Sequence, residues 1–417
     1  MTFTAIEPAD FPWYDYHGYT FSLGLNLDGH AMNSGHSGSV FDPVKGKPDV
    51  IGGMGEQAQT AYAKQATILA AAGLGMDEVT RVVENVTIAG LPYYDEAQEV
   101  RRSVFGDHVP VVETVIVDRL VRAKALIEIE VHASRGGGAT LVSGTAGSDL
   151  TWRRDTVRQG HDGAVYLPTL LPIDADGNVV ADGDIVGQYF YCLERAGELL
   201  EAAGLSLSHL VNTVDYSTPA TRERYPKIGR ARKDLLGPVY PGAAGILMSE
   251  LHAPGVLCAI DAIASTHLPT KVNPGWSRYD TLTYNPGLLA GDTLYMSGFA
   301  SLDMQTQQAT HAGDLAKQAE ATYGAILETL AAVGAGPESL IGTVEYVTPE
   351  GLPDYRVVAD VRRSMLKSPY PASTGIVCGG LLRNEFLLEV VPTAYVPAAR
   401  DFLARTASES GESQVSP

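Results

Sequence analysis

The sequence predicts an α+β protein built from three repeated units, each with one mixed β-sheet covered on one face by two helices. Two observations support this fold class. Long stretches of the chain recur at fixed spacings of 131 and 130 residues. Within each repeat, segments with the apolar period of a strand and of a helix follow one another without strict alternation, which favours an α+β layer over a chain of βαβ units.

The repeat is defined by six columns of identical residues. A coincidence of six columns at the same two offsets is implausible, so the chain is expected to contain the same folding unit three times. The columns are Gln57, Gln188 and Gln318; Gly73, Gly204 and Gly334; Thr87, Thr218 and Thr348; Tyr94, Tyr225 and Tyr355; Arg101, Arg232 and Arg362; and Pro110, Pro241 and Pro371.

The third copy illustrates the predicted element order, which is hairpin, helix, strand, helix, strand, strand. PGLLAGDTLYMSGFASLD predicts the hairpin, and the following apolar positions at helical spacing predict a helix that ends at Gly334. SLIGTVEYVTP predicts a strand that Pro349 ends. The remaining elements are a second helix and two strands: DYRVVADVRRSML, STGIVCGGLL and FLLEVVPTAYV.

Domain boundaries follow from the repeat. Two stretches rich in Gly, Ser, Thr or Pro, residues 134–149 and 265–278, are expected to be linkers. The polar C-terminal stretch is expected to be disordered. The predicted organisation is three domains at 14–134, 150–266 and 276–398, followed by a disordered tail at 403–417.

Composition limits the function classes. The formal charge of −19 disfavours nucleic acid or an anionic membrane surface as partner. The longest apolar run is about half of what a membrane span needs, and the N-terminus lacks the pattern of a signal peptide. Three scattered cysteines, Cys192, Cys258 and Cys378, fit a reducing compartment. We therefore expect a cytoplasmic protein that acts on a small molecule and uses neither a metal nor another cofactor.

Several motifs together resemble the RidA (YjgF-type) enamine/imine deaminases. They are YNPGLLAGDTLYMSG, the helix–strand unit LAAVGAGPESLIGTVEYVT and the closing LLEVVPTA of the third copy, with IEIEVHA closing the first copy. The resemblance covers each repeat almost from end to end. It implies the fold of trimeric bacterial chorismate mutases, with sites in clefts between neighbouring units. Three copies in one chain would form a self-contained intramolecular pseudo-trimer, and further dimerisation is left open.

The resemblance also implies site residues. The family's pocket uses a Glu on the last strand, a Tyr in the N-terminal loop and backbone N–H groups near a Ser-Gly turn. In this sequence the Glu position is Glu389 in the third copy and Glu128 in the first, whereas the middle copy has Ala259. The implied catalytic residues are Glu389 and Glu128, in that order, and the implied binding positions are Tyr284, Gly298 and Gly35.

One family feature is missing from all three copies. The position of the arginine that holds a substrate carboxylate is Val112, Ala243 or Ser373, so Ser373 would line the site in its place. Two residues further on, Gly245 and Gly375 are small and suggest room for a bulkier, cyclic ligand.

A second constellation pairs an acidic column with a basic column. Glu84, Asp215 and Glu345 lie in the predicted strand after the first helix, and an arginine follows in the second helix of each copy. They either form ion pairs that tie strand to helix, or one arginine replaces the missing clamp. For the third copy, the second alternative would make Arg362 and Glu345 substrate-binding residues.

These observations predict a hydrolase or deaminase that acts on the C–N bond of an enamine, imine or cyclic amide, with a strand glutamate that activates water. Three alternatives stay open: a ring-opening amidohydrolase, a chorismatase-like enzyme, and a non-catalytic ligand-binding or scaffold protein. The missing arginine column weighs against a chorismatase, and no Ser–Lys pair is visible for an amidohydrolase.

Overall fold

The computed structural model describes residues 3–144 and 154–409, with side chains to residue 404. It contains three large mixed sheets, each with helices packed against one face. The first part of the chain contains β1 (Thr4–Ala5), β2 (Gly24–Asn26), β3 (His30–Asn33), β4 (His36–Ser37), β5 (Ser39–Asp42), β6 (Lys47–Val50), α1 (Met54–Ala71), β7 (Val79–Thr87), α2 (Tyr94–Phe105), β8 (Val111–Val117), β9 (Arg119–Leu120) and β10 (Ile127–Ser134). Of these strands, β5 and β6 form a separate two-stranded sheet, and β9 joins the third large sheet.

The middle part of the chain repeats this order of elements in a shorter form. Its elements are β11 (Ala139–Val142), β12 (Val157–Gln159), β13 (Ala164–Tyr166), α3 (Ile185–Ala202), β14 (Leu210–Ser217), α4 (Gly229–Leu235), β15 (Gly242–Leu247) and β16 (Cys258–Ser265).

The last part contains the third sheet and an additional C-terminal helix. Its elements are β17 (Thr270–Val272), β18 (Gly287–Ala290), β19 (Thr293–Met296), β20 (Phe299–Ala300), α5 (Leu315–Ala331), β21 (Leu340–Val347), α6 (Arg356–Met365), β22 (Ala372–Val377), β23 (Gly380–Leu381), β24 (Leu388–Tyr395) and α7 (Ala399–Glu409).

The three sheets share one strand order. In the first it is β1-β2-β3-β10-β7-β8, in the second β11-β12-β13-β16-β14-β15-β23, and in the third β17-β18-β19-β24-β21-β22-β9. The pairs β7–β8, β14–β15 and β21–β22 are parallel, and their neighbours are antiparallel. The predicted element order and the α+β class are therefore observed.

Two of the repeated columns have clear structural roles. Gly73, Gly204 and Gly334 follow α1, α3 and α5 with φ of 72°, 77° and 72°, a left-handed conformation that ends a helix and that favours glycine. The glutamine column fastens each of these helices to the turn before the last strand of its sheet. In the third copy, Gln318 donates to the Glu385 carbonyl at 2.7 Å and accepts from the Leu387 amide at 2.8 Å.

The expected linkers and tail contain regular structure. Strand β11 lies within residues 134–149 and pairs with β12, and β17 lies within 265–278 and pairs with β18. Both strands are held by backbone hydrogen bonds, which need no apolar pattern. Residues 145–149 of the first linker lie outside the described residues. The expectation of a disordered tail is corrected over residues 403–409, which belong to α7, because Ala399 is buried and Leu403 packs on the core of the third sheet; the rest of the tail is outside the described residues.

The sheets meet around a shared apolar cluster. Each sheet also has its own core beneath its helices, but this cluster combines side chains from all three. Val115 and Val117 come from β8, Ile246 from β15 and Ile376 from β22. Tyr216 and Tyr346 also belong to this cluster, and their hydroxyl groups are 2.9 Å apart.

Candidate functional site

One cleft between sheets lies where β15 of the second sheet meets the third sheet. The Ala243 amide donates to Ser297 Oγ at 2.9 Å, and the Gly298 amide donates to the Ala243 carbonyl at 3.1 Å. The space beside this contact is about 360 Å³, and we call it the Glu389 cleft. Its polar lining is Asp215, Tyr225, Arg232, Arg278, Tyr279, Tyr284, Arg383 and Glu389.

Glu389 is the buried carboxyl group of this cleft. It projects from β24 and is 7% exposed. Desolvation by burial raises the pKa of Glu389 to about 8, although a hydrogen bond from the Gly245 backbone favours its charged form. A carboxyl group with this pKa holds its proton near neutral pH and can act as an acid and then as a base.

Gly298 makes room for this carboxyl group. A Cβ atom at residue 298 would overlap Oε1 of Glu389 and lie 2.7 Å from the side chain of Ala244. The backbone at Gly298 does not have a positive φ, so the glycine is required here by space rather than by conformation.

Tyr284 lies in the same cleft with cationic neighbours that the sequence did not reveal. Arg278 Nη2 donates to the Tyr284 hydroxyl at 3.1 Å, and its guanidinium lies 5.2 Å from the ring centroid of Tyr279. Burial raises the pKa of Tyr284, Glu389 adds to the rise, and Arg278, Arg232 and Arg383 oppose it. Glu389, Tyr284 and Gly298 are thus brought together beside three arginines.

A second glutamate, partly buried, lies between the first and third sheets. A Cβ on Gly35 would be 2.7 Å from Glu128 Oε1 and 2.8 Å from Thr374 Oγ1, so this region, the Glu128 cleft, repeats the glycine–glutamate contact. Burial, with a smaller effect of Glu130, raises the pKa of Glu128 to about 7, while Arg122 and Lys64 oppose the rise.

The surroundings of the Glu128 cleft differ from those of the Glu389 cleft. Lys64 is buried, donates to the carbonyls of Ser37 and Ser39 at 2.6 and 2.5 Å, and has its pKa lowered to about 7 by burial. His36 is buried, and its Nδ1 lies 2.8 Å from the Tyr14 hydroxyl.

The middle copy has no carboxyl group at the equivalent place, because β16 carries the fully buried Ala259 there. Between the first and second sheets, the Thr114 amide donates to Thr169 Oγ1 at 2.9 Å, and Thr169 donates to Asp261 at 2.6 Å.

Two expectations about the clefts are corrected. The amides of Gly298 and Gly35 are not free donors, because they bind the Ala243 carbonyl and, at 3.0 Å, Thr374 Oγ1. The space expected beside Gly245 and Gly375 is occupied by tyrosine hydroxyls, although Gly245 also lines the Glu389 cleft. A Cβ at either glycine would lie 2.8 Å from the hydroxyl of Tyr225 or Tyr355.

The acidic and basic columns meet in all three units. Arg101 Nη1 lies 2.5 Å from Glu84, and Arg362 Nη1 lies 2.9 Å from Glu345, all within the buried interior. Two tyrosine hydroxyls also donate to each glutamate.

Arg362, Glu345 and Ser373 form one hydrogen-bonded group. Arg362 Nη1 is 3.3 Å from Ser373 Oγ, and Arg362 Nε donates to Thr20 Oγ1 at 3.1 Å. The Ser373 amide donates to Ser34 Oγ at 2.8 Å. This geometry corresponds to the ion-pair alternative for the third copy.

The corresponding pair in the middle copy is looser. Arg232 Nη1 is 3.7 Å from Asp215 Oδ2, and it donates instead to Tyr189 at 2.7 Å and Thr213 at 3.0 Å. Both Arg232 and Asp215 line the Glu389 cleft.

Neither a membrane helix nor a metal-ligand cluster is found in the described part of the chain. Within residues 3–144 and 154–409, no helix has the length and apolarity to cross a bilayer, and no three His, Cys, Asp or Glu side chains are grouped to hold a metal ion. Cys192, Cys258 and Cys378 are buried and not disulfide-bonded.

Comparisons with known proteins agree with this architecture. A solved chorismatase structure has 14% identity, covers 76% of this chain and 93% of its own, and superposes with a TM-score of 0.52, which shows a shared fold. A putative endoribonuclease from Thermotoga maritima has 26% identity, with 31% of this chain and 96% of its own covered and a TM-score of 0.27. A RidA from an Antarctic Psychrobacter has 24% identity, covers 28% and 90%, and gives a TM-score of 0.26.

The comparison with protein families matches one segment of the chain to a known family. A search of curated proteins found no match. The family model described as Endoribonuclease L-PSP matches residues 279–396, which contain Tyr284, Gly298 and Glu389. Residues 279–396 are therefore similar to the endoribonuclease L-PSP family, and solved structures named RidA are among those similar to the chain.

Proposed function

We propose that the protein is a hydrolase that cleaves the C–N bond of an enamine or imine in the Glu389 cleft. The observation that carries the proposal is Glu389 itself, a carboxyl group with a pKa of about 8 in a cleft that also holds Tyr284 and three arginines. Cationic groups around such a cleft favour a negatively charged substrate.

Glu389 would act first as acid and then as base. Its proton passes to the β-carbon of the enamine, a C–H bond forms, and the C=C electrons leave a C=N iminium. The Glu389 carboxylate then takes a proton from water while the water oxygen bonds to the iminium carbon. Return of that proton to nitrogen turns the amine into a leaving group. As the C–N bond breaks, the hydroxyl proton passes to the Glu389 carboxylate, so that a carbonyl compound and ammonia are released and the protonated acid is restored.

The proposal includes the organisation of the chain. The three sheets with their helices are tandem domains, at residues 14–134, 150–266 and 276–398, that form a pseudo-trimer within one molecule. The shared strand order and the apolar cluster common to the three sheets support this reading. The Glu128 cleft is then a second, differently surrounded site, and the middle strand with Ala259 has lost its own.

A second candidate is chorismatase-like chemistry, the release of pyruvate from an enol ether. The specific observations in its favour are the shared fold with a solved chorismatase and the arginines Arg278 and Arg383, which answer the objection drawn from the missing arginine column. Protonation of a C=C bond by Glu389, followed by attack of water, serves an enol ether as well as an enamine.

One assay separates the candidates. The purified protein is incubated with enamines and imines that carry a carboxylate, and separately with chorismate, and ammonia and pyruvate are measured. We expect release of either ammonia or pyruvate. The kcat of the Glu389→Gln variant should be lower by about 100-fold or more.

The matched control is the same substitution in the other cleft. Glu128→Gln should retain most of the activity if the Glu389 cleft is the principal site. Intact turnover in the doubly substituted protein would refute the mechanism, and no turnover of any substrate by the unaltered protein would favour a binding or scaffold role.

A further inference from the structure

The three buried acid–arginine pairs differ by one methylene group, and this difference frees a cationic donor in the middle copy. Glu84 and Glu345 reach their arginines at 2.5 and 2.9 Å. Asp215 is shorter, and the gap to Arg232 widens to 3.7 Å, beyond hydrogen-bonding distance.

Two of the three guanidinium nitrogens of Arg232 donate hydrogen bonds. Nε donates to the Thr283 carbonyl at 2.9 Å, and Nη1 donates to Tyr189 and Thr213. Nη2 is buried and has no partner among the described residues, although the side chain is only 3% exposed. Among the three arginines of this column in the described chain, Arg232 alone has such a nitrogen.

A second difference shows that the middle network is rearranged. In the first and third copies, the helix tyrosine that contacts the acid occupies equivalent positions, Tyr62 and Tyr323. In the middle copy the equivalent position is Leu193, and Tyr189, one helical turn earlier, donates to Asp215 Oδ2 at 2.9 Å. Asp215 Oδ1 is left buried without a partner in the described structure.

Arg232 and Asp215, the residues that carry these unpaired atoms, line the Glu389 cleft together with Arg278. Arg278 Nε is also buried there and has no partner in the part of the chain that the structure describes. An unpaired buried guanidinium N–H is costly, and a ligand carboxylate is the acceptor that satisfies it with a charge-assisted hydrogen bond. Asp215 Oδ1 is an acceptor for an N–H or O–H of the same ligand.

We propose that Arg232 Nη2, with Arg278 Nε, binds the carboxylate of the substrate in the Glu389 cleft, and that the aspartate at position 215 makes this donor available. This inference rests on the proposed function of the cleft and adds the substrate class, a carboxylate with an adjacent N–H or O–H donor. Arg362 already contacts Glu345, Ser373 and Thr20. The arginine that replaces the missing carboxylate-binding arginine of the family is therefore Arg232 and not Arg362.

The test is a binding measurement that needs no turnover. The probe is 2-aminobenzoate, followed by its fluorescence, and 2-aminobenzamide is the neutral analogue. We expect the unaltered protein to bind 2-aminobenzoate in the millimolar range or below, and more tightly than the amide. Asp215→Glu restores the glutamate of the other copies and should weaken 2-aminobenzoate binding by about tenfold or more, the loss of one charge-assisted hydrogen bond.

Two further variants keep the test decisive. Arg232→Lys retains the charge but not the planar fork, and it should weaken binding similarly if Asp215→Glu does not fold. Glu84→Asp makes the reverse change in the first copy and should lower the melting temperature without altering binding. Equal binding of the acid and the amide, or unaltered binding by both Asp215→Glu and Arg232→Lys, would overturn the inference.

A failure of the proposed function would give a different experimental result from a failure of this inference. Glu389→Gln should still bind 2-aminobenzoate, because it removes the acid and not the arginines. Carboxylate binding without turnover of any substrate would therefore reject the proposed reaction and keep the binding site.

Discussion

At the scale of single residues, each glutamate of the two clefts is accommodated by a glycine that directly precedes the short strand paired with its own strand, β20 beside β24 and β4 beside β10. A Cβ atom at residue 298 or 35 would clash with Oε1 of Glu389 or Glu128, so both positions need a glycine. These glycines follow serines that bind the neighbouring sheet, so the same two-residue turn joins the units and makes room for the carboxyl group.

Gly298→Ala tests this role. The added methyl group should displace the Glu389 carboxyl and lower kcat by about tenfold or more, since small misplacements of a reacting group are costly. The measurement is kcat in the assay for ammonia or pyruvate, together with the melting temperature.

Gly324→Ala is the control for that substitution. No atom lies within 4 Å of a Cβ at residue 324, which is inside α5, so this change should stabilise the protein by about 0.5–1 kcal/mol and leave kcat unaltered. Equal kcat values for the two variants would contradict the steric role of Gly298.

The raised pKa of Glu389 predicts how activity and stability depend on pH. If the protonated form is the catalyst, kcat/KM should fall as pH rises through about 8. Because the folded state holds this proton more tightly than the unfolded state, Glu389 should also reduce stability as pH rises from about 4.5 to about 8.

Glu389→Gln isolates this contribution, since Glu128 and Asp261 titrate in the same range. The melting temperature of the unaltered protein should decrease more between about pH 6 and about pH 9 than that of the variant. Parallel curves would show that Glu389 titrates normally in the folded protein.

At the scale of elements, the acid–arginine pairs join a central strand to the second helix. In the third sheet the pair connects β21 to α6, and Arg362 Nε extends the contact to Thr20 of the first copy. The pair is buried, so removal of one partner leaves a charge without compensation.

Arg362→Met should therefore lower the free energy of unfolding by about 3–5 kcal/mol in urea denaturation. Arg363→Met on the same helix removes an exposed ion pair to Asp360 and should cost at most about 1 kcal/mol. Unchanged stability of Arg362→Met with lost ligand binding would instead favour a substrate-binding role for Arg362.

The elements that the sequence predicted are those with a side-chain signal. Glycines with positive φ end the first helix of every copy, and Pro349 follows β21, as expected. Strands β11 and β17 were missed because they lie within Gly-rich or Pro-rich stretches and are too short to show an apolar period. Periodicity also does not show which strand such a segment pairs with, here β12 and β18.

The same distinction applies to the candidate site. Glu389, Tyr284 and Gly298 could be aligned with the repeat and the family motifs, and the structure brings them together. Arg278 lies in a predicted linker, where no column repeats. Arg383 lies in the turn before β24 and recurs as Arg122, at the offset that also relates Glu389 to Glu128, so the repeat could have indicated it. The difference between Arg232 and Arg362 depends on one methylene group of the paired acid, which becomes visible only as a distance.

At the scale of the whole molecule, the three sheets share a core. The cluster that contains Val117, Ile246 and Ile376 exists only while the three units are assembled, and separation would expose these side chains to water. Each unit is thus stabilised partly by its neighbours.

This arrangement predicts cooperative unfolding. Calorimetry should give one transition with a ratio of van't Hoff to calorimetric enthalpy near one, because no unit retains its complete core when another unfolds. Independent units would give a ratio of roughly one third or separate transitions.

Short strands β9 and β23 each add to the sheet of another copy. Strand β9 of the first copy pairs with β22, and β23 of the third pairs with β15. They occupy part of an edge whose backbone groups would otherwise be free to recruit a foreign strand. A molecule in which one unit has swung away would present that open edge together with the apolar cluster. The covalent connection between the units therefore protects the protein against aggregation, since it allows a displaced unit to return before another chain can pair with the edge.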